Sequence, residues 1–188
     1  MIAVMLRTLA AVVLAVAAAG PVRVPDLDGK LIDPLQPPAG TRATVLLFVS
    51  TDCPVSNRYA PDVRHLHDTY SKDGVVFWLV YPNPTDSPGD IRDHVKAFSY
   101  PGTPLRDPKH DLVRAAGATI TPEAAVYDFK GTLTYRGRID DRYSAVGVER
   151  AQATRHDLQD AIAATLAGKP VRQKTTQAVG CYIADFAR

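Results

Sequence analysis

Two uninterrupted apolar runs constrain this chain most: Thr44-Val45-Leu46-Leu47-Phe48-Val49 and Val75-Val76-Phe77-Trp78-Leu79-Val80-Tyr81. Neither alternates with polar residues, as a strand with one wet face would. Both are rich in β-branched or aromatic residues and read as strands buried on both faces. Such strands need helices on both sides of a sheet. The chain between them supplies one, since Pro54 to about Tyr70 reads as a helix interrupted at Pro61.

The remaining elements follow the same logic. Pro, Ser, Asp and Gly crowd the stretch from Pro82 to Asp90, which reads as a loop. Ile91, Val95 and Phe98 then mark one face of a short helix. Asp111 to Ala116 predicts a helical turn stopped by Gly117. Ala124 to Asp128, the turn Phe129-Lys130-Gly131 and Thr132 to Ile139 predict a hairpin. Glu149 to Leu166 reads as the last long helix, with Leu158, Ile162 and Leu166 on one face and Gly168 beyond it. The order implies one α/β domain, a mixed β-sheet flanked by helices on both faces. Residues 20–42 are an extended lead-in with one small hairpin, residues 43–168 the domain, and residues 169–188 a tail that carries Cys181.

Residues 1–19 read differently. Arg7 precedes a stretch of Leu, Val and Ala, and Ala17-Ala18-Ala19 precedes Gly20. A cationic start, a short apolar run and a small-x-small site predict a secretory signal peptide. An uncleaved membrane anchor is the alternative, and a spanning helix needs roughly 20 apolar residues. Export, to a periplasm or the medium, would place the two Cys where a disulfide persists. The net charge of +2 and the lack of basic runs argue against a nucleic-acid partner. Two Cys without a Cys-x-x-Cys pair also argue against a zinc ribbon.

Cys53 is the main chemical candidate. It directly follows the first buried strand and precedes a helix, with Pro54 at the first helical position, where a missing N–H costs nothing. The thiol therefore meets the free N–H groups and the positive end of the helix, which favour the thiolate. Asp52 opposes this through its charge. Ser56, three residues on, is placed to donate a hydrogen bond to the sulfur. An inert buried Cys is the plainer alternative.

Cys53-Pro54-Val55-Ser56 followed by Ala60-Pro61, together with Gly117-Ala118-Thr119-Ile120-Thr121-Pro122, resembles the thioredoxin fold over residues 25–168. In detail Thr51-Asp52-Cys53-Pro54, Thr121-Pro122-Glu123 and Tyr135-Arg136-Gly137-Arg138-Ile139-Asp140-Asp141 resemble the peroxiredoxin-like branch of the alkyl hydroperoxide reductase and thiol-specific antioxidant (redoxin) superfamily. The resemblance implies a redox-active Cys53 and a cis bond before Pro122, with Thr121 and Pro122 offering backbone groups to an incoming substrate. Two departures narrow the activity. Ser56 replaces the second thioredoxin Cys, so Cys53 cannot close a local disulfide. Ser50 and Leu46 stand where a peroxiredoxin has Thr and Pro, and its later Arg is missing. Without donors aimed at the O–O bond, only weak peroxidase activity is expected.

Three further groups complete the expectation. In a hairpin centred on Lys130, residue 138 falls opposite 122, which would return Arg138, Asp140 and Asp141 to the neighbourhood of Cys53 as substrate-orienting charges; a solvated ion pair is the alternative. Cys181 is either a resolving thiol, in the same or a partner subunit, or a free tail Cys. If it resolves, the tail must fold back over the start of the first helix. The five His residues are scattered: His65 and His67 point to different faces, His94 lies at the core edge, and His110 and His156 read as exposed. The sequence thus predicts thiol–disulfide exchange through Cys53, Ser56 and Cys181, without metal or other cofactor. Its partners would be a protein or small disulfide substrate and an external thiol reductant. The alternatives are a weak thiol peroxidase and a copper-carrying or partner-binding module.

Overall fold

The computed structural model describes residues 20–184. The signal segment predicted over residues 1–19 lies outside them. The lead-in forms a small hairpin of β1 (Val24–Pro25) and β2 (Leu31–Ile32), turned at Asp28-Gly29. Then come β3 (Ala43–Phe48), α1 (Pro54–Tyr70), β4 (Val75–Tyr81), α2 (Pro88–Phe98), β5 (Thr103–Arg106) and α3 (Asp111–Ala116). β6 (Ile120–Thr121), β7 (Glu123–Asp128), β8 (Leu133–Gly137), β9 (Tyr143–Ala145), β10 (Val148–Glu149), α4 (Asp157–Leu166) and β11 (Cys181–Tyr182) complete the order.

The main sheet runs β5-β4-β3-β7-β8. β3, β4 and β5 are parallel, and β7 and β8 each join antiparallel, so the sheet is mixed. The unbroken apolar character of β3 has a direct reason. Ala43, Val45 and Leu47 pack on the face covered by α1, α2 and α4, while Leu46 and Phe48 pack on the face covered by α3 and the lead-in. Alternation is still present, but both sides of it are dry. Every residue of β3 is buried, and burying a side chain such as Leu46 or Phe48 contributes about 1.5–3 kcal/mol.

The fold corrects several expectations. α1 continues through Pro61 rather than breaking there; the missing amide affects one hydrogen bond, and buried Ala60 and Val63 hold both halves on the sheet. β5 was not expected, because Pro104 hides an edge strand that needs few donors. α4 begins at Asp157, not at Glu149. The chain before it wraps the buried carboxylate of Asp141, which accepts from Arg150 Nη1 (2.6 Å), Thr154 N (2.7 Å), Thr154 Oγ1 (2.6 Å) and Arg155 N (2.9 Å). These donors, led by the Thr154 hydroxyl, hold that carboxyl well below its usual range. Apolar spacing extended the helix too far because it ignores such capture. His110 is buried rather than exposed, its Nε2 bonded to the Pro82 carbonyl at 3.0 Å. Among the described residues no helix is long and apolar enough to cross a membrane.

Candidate active site

The site forms where β3 ends. Cys53 is the N-cap of α1, with extended backbone (φ −83°, ψ 108°), and its sulfur accepts from the Ser56 amide at 3.5 Å. Pro54 occupies the first turn, so no amide is lost to its ring. A second layer steadies this turn. Tyr100 donates to the Ser56 carbonyl at 2.6 Å and stacks on His94. Burial holds His94 below its ordinary pKa, so it is neutral. Its Nδ1 then accepts from the Tyr81 hydroxyl (2.9 Å) and its Nε2 donates to Asn57 Oδ1 (2.7 Å).

Facing Cys53 is the end of β6, where a cis bond joins Thr121 to Pro122. The Cys53 thiol donates to the Thr121 carbonyl at 3.1 Å. Glu123 holds this turn. Its buried carboxylate accepts from the Thr119 amide (2.8 Å) and the Ile120 amide (3.2 Å) and pairs with Arg136 at 3.5 Å.

The tail completes the site. It runs beside Arg136, exchanging Arg136 N→Lys174 O (2.9 Å) and Thr176 N→Arg136 O (3.0 Å). Buried Thr176 accepts from Arg138 N at 3.0 Å and bonds the Tyr135 hydroxyl at 2.6 Å. Gly137 permits this approach, because a Cβ there would meet Thr176 Oγ1 at 2.1 Å. Gly180 then lies flush on β6, where a Cβ would meet the Thr121 carbonyl oxygen at 2.0 Å. β11 pairs antiparallel with β6, Cys181 opposite Thr121, and Ile183 N donates to Thr119 O at 3.0 Å. Thr121 is thus shared: its carbonyl accepts from the Cys53 thiol, and Cys181 lies opposite it across the ladder, so the two thiols are neighbours that perturb each other's ionisation. Both are free thiols.

The two sulfurs have opposite electrostatics. Burial pushes Cys53 up, but the neighbouring Cys181, Ser56 and Thr121 groups outweigh it, leaving Cys53 below an ordinary thiol. The Ser56 hydroxyl is buried without a partner of good geometry in the thiol form, and an ionised sulfur beside it is the acceptor it lacks. Cys181 is raised, by burial first and then by the neighbouring Cys53 and Asp52. The exposed Asp52 side chain accepts from the Ser50 hydroxyl.

Cys53, Ser56, Thr121, Pro122 and Cys181 therefore converge. Arg138 and Asp140 do not. A bulge between Val126 and Tyr127 shifts the hairpin register, so Ala124 faces Gly137 and residue 138 is not opposite 122. Arg138 bonds Asp157 at the start of α4 (2.7 Å). Asp140 takes the Tyr59 hydroxyl and Arg142, whose guanidinium also reaches Asp62 at 2.6 Å. Asp141 is the caged carboxylate already described. The sequence reading overlooked Glu123 as the support of the cis turn, and Gly180, whose only visible signal was its place before Cys181. It also overlooked a cleft of about 210 Å³ lined by Ser50, Asp52, Asn83, His110, Cys181 and Tyr182, among others. Among the described residues no group of three or more His, Cys, Asp or Glu gathers to hold a metal.

Comparison with known proteins agrees with the fold. The family model described as Redoxin matches residues 16–153, which leaves the tail and Cys181 outside the match. No curated protein matches the sequence. Among solved structures, an uncharacterized conserved protein from Geobacillus kaustophilus is 26% identical, with a TM-score of 0.76 over 90% of this chain and 91% of that one. A hypothetical protein from Sinorhizobium meliloti 1021 is 25% identical, with a TM-score of 0.72 over 90% and 93%. A secreted Mycobacterium tuberculosis disulfide oxidoreductase homologous to E. coli DsbE shares the fold at 20% identity, with a TM-score of 0.52 over 78% of this chain and 94% of its own.

Proposed function

This chain belongs to the Redoxin family, and on that premise we propose that it is an exported thiol–disulfide oxidoreductase whose redox pair is Cys53 and Cys181. One observation carries the reading: the β11–β6 register sets Cys181 beside the N-cap thiol of α1. The lowered Cys53 and raised Cys181 divide the labour as exchange chemistry requires. The Cys53 thiolate attacks one sulfur of a substrate disulfide and expels the other as a thiolate, which takes a proton. Cys181 loses its proton and attacks the Cys53 sulfur, releasing the second substrate thiol and leaving a Cys53–Cys181 disulfide. The substrate disulfide gains two electrons and the protein loses two. An external thiol reductant restores the pair. The oxidising compartment follows from the signal segment, and the secreted M. tuberculosis neighbour supports it.

Intact mass after alkylation, with and without prior reduction, tests the pair, and peptide mapping locates the link. Two free thiols after mild oxidation would remove the reading. Expression in an exporting host should give a mature chain beginning near Gly20, and an intact Met1 form in membranes would overturn that part. Stopped-flow oxidation by hydrogen peroxide should be slow, because Ser50, Leu46 and Pro122 replace the groups that position a peroxide. A fast, saturable reaction would instead make the protein a peroxidase.

A further inference from the structure

We infer that in the oxidised protein the sulfur open to an external thiol is Cys181, and that Cys53 is the leaving group. The inference rests on the Cys53–Cys181 pair proposed above and assigns the direction in which it is reduced. The tail sets the access. Cys53 has 0% exposure, closed in by α1, the Thr121-Pro122 turn and the tail. Cys181 instead lines the 210 Å³ cleft, which Cys53 does not reach. A cleft of that size admits a small thiol, and Tyr182 at its edge, 85% exposed, offers an aromatic surface to a larger partner.

Leaving-group chemistry points the same way. In exchange the sulfur that departs most readily is the one whose thiolate is best stabilised. Cys53 departs into the Ser56 amide and the free N–H groups of α1, whereas Cys181 would depart beside Asp52. The step balances. A reductant thiolate bonds to Cys181 Sγ, the Cys53–Cys181 bond breaks, and Cys53 takes the electron pair as a thiolate. A second reductant thiolate attacks the reductant's sulfur in the mixed disulfide, giving a small disulfide and releasing Cys181, which takes a proton. Two electrons pass from two thiols to the protein.

The test uses the oxidised full chain and 2-mercaptoethanol as the probe. Peptide mapping first records the Cys53–Cys181 link. Brief exposure to the probe, acid quench and mapping then locate the adduct. The expected result is a Cys181 adduct in about tenfold or greater excess over a Cys53 adduct. An adduct mainly on Cys53, or shared equally, overturns this inference and leaves the redox pair standing. A map without the link overturns both. Gly180→Ala gives a second reading: a Cβ there cannot fit against Thr121, so the tail lifts and Cys53 adducts should rise relative to wild type. An unchanged distribution in that variant would show that the tail does not govern access.

Discussion

The two cysteines sit in regions of very different construction. Cys53 ends a β-α junction whose strand has all its residues buried and is paired on both sides. Cys181 lies on a two-residue strand of a two-stranded ladder, attached after the anchor at Thr176 by a few hydrogen bonds and by Ala178, Val179 and Ile183 packed on the edge of the core. At roughly 1 kcal/mol net per hydrogen bond, with only partly buried side chains to expose, β11 separates from β6 far more cheaply than Cys53 could move, since that would disrupt the core. One thiol is therefore held by the fold, and the other is carried to it. In the exchange proposed above, a rigid N-cap thiol paired with a thiol on a detachable segment would let the chain open for a disulfide substrate without loosening its sheet.

The largest expected effect separates the two thiols outright. Cys53→Ser should reduce exchange with a small disulfide by about 10³-fold or more, because the thiol that remains, Cys181, is raised by burial and by Asp52 and forms its thiolate less readily. Cys181→Ser should keep the first step and stall as a mixed disulfide on Cys53, visible by intact mass. Equal losses in both variants, with no adduct, would break the asymmetry.

Next comes the tail's hold on the site. Gly180→Ala should raise the rate of iodoacetamide capture of Cys53 in the reduced protein about tenfold, with little change in the thermal midpoint, since only local opening is altered. A matching fall in global stability would mean that the tail is part of the core after all. Thr176→Val tests the anchor. It removes the hydroxyl that serves Arg138 N and Tyr135, and should cost about 1–3 kcal/mol in urea unfolding, while Cys53 keeps its thiolate character.

The smallest effect is electrostatic. Cys53 is held below an ordinary thiol partly by the neighbouring Cys181, so Cys181→Ala should raise the Cys53 pKa toward the ordinary value. Ultraviolet absorbance of the thiolate against pH measures this, and an unchanged midpoint would assign the shift to α1 and Ser56 alone. The sign for stability follows. A thiol lowered on folding stabilises the reduced protein fully above its unfolded pKa, and that stabilisation is lost as pH falls through its folded pKa. Cys181, raised on folding, works in the opposite direction, with its contribution present at low pH and lost as pH rises through its folded pKa.

Much of this molecule is decided by local rules. The apolar runs that become β3 and β4, the Pro at the first turn after Cys53, the stop at Gly117 and the turn at Phe129-Lys130-Gly131 all depend on near neighbours in the chain. So does the position of Cys53 at a helix start, which is enough to mark it as the chemical residue. The rest depends on contacts between distant segments, which periodicity does not carry. A single bulge at Val126 and Tyr127 changed the hairpin register and took Arg138 and Asp140 out of the site. Capture of the 150–155 segment by Asp141 removed two turns from the expected last helix. Asp52, adjacent to Cys53 in sequence, is exposed, accepts from Ser50, and bears on Cys181 from across the site. Most of all, only the tertiary structure brought Cys181 to Cys53. That meeting needs Gly137 to admit Thr176 and Gly180 to lie on Thr121, two backbone approaches whose partners are far apart in sequence and whose space exists only once the sheet is built.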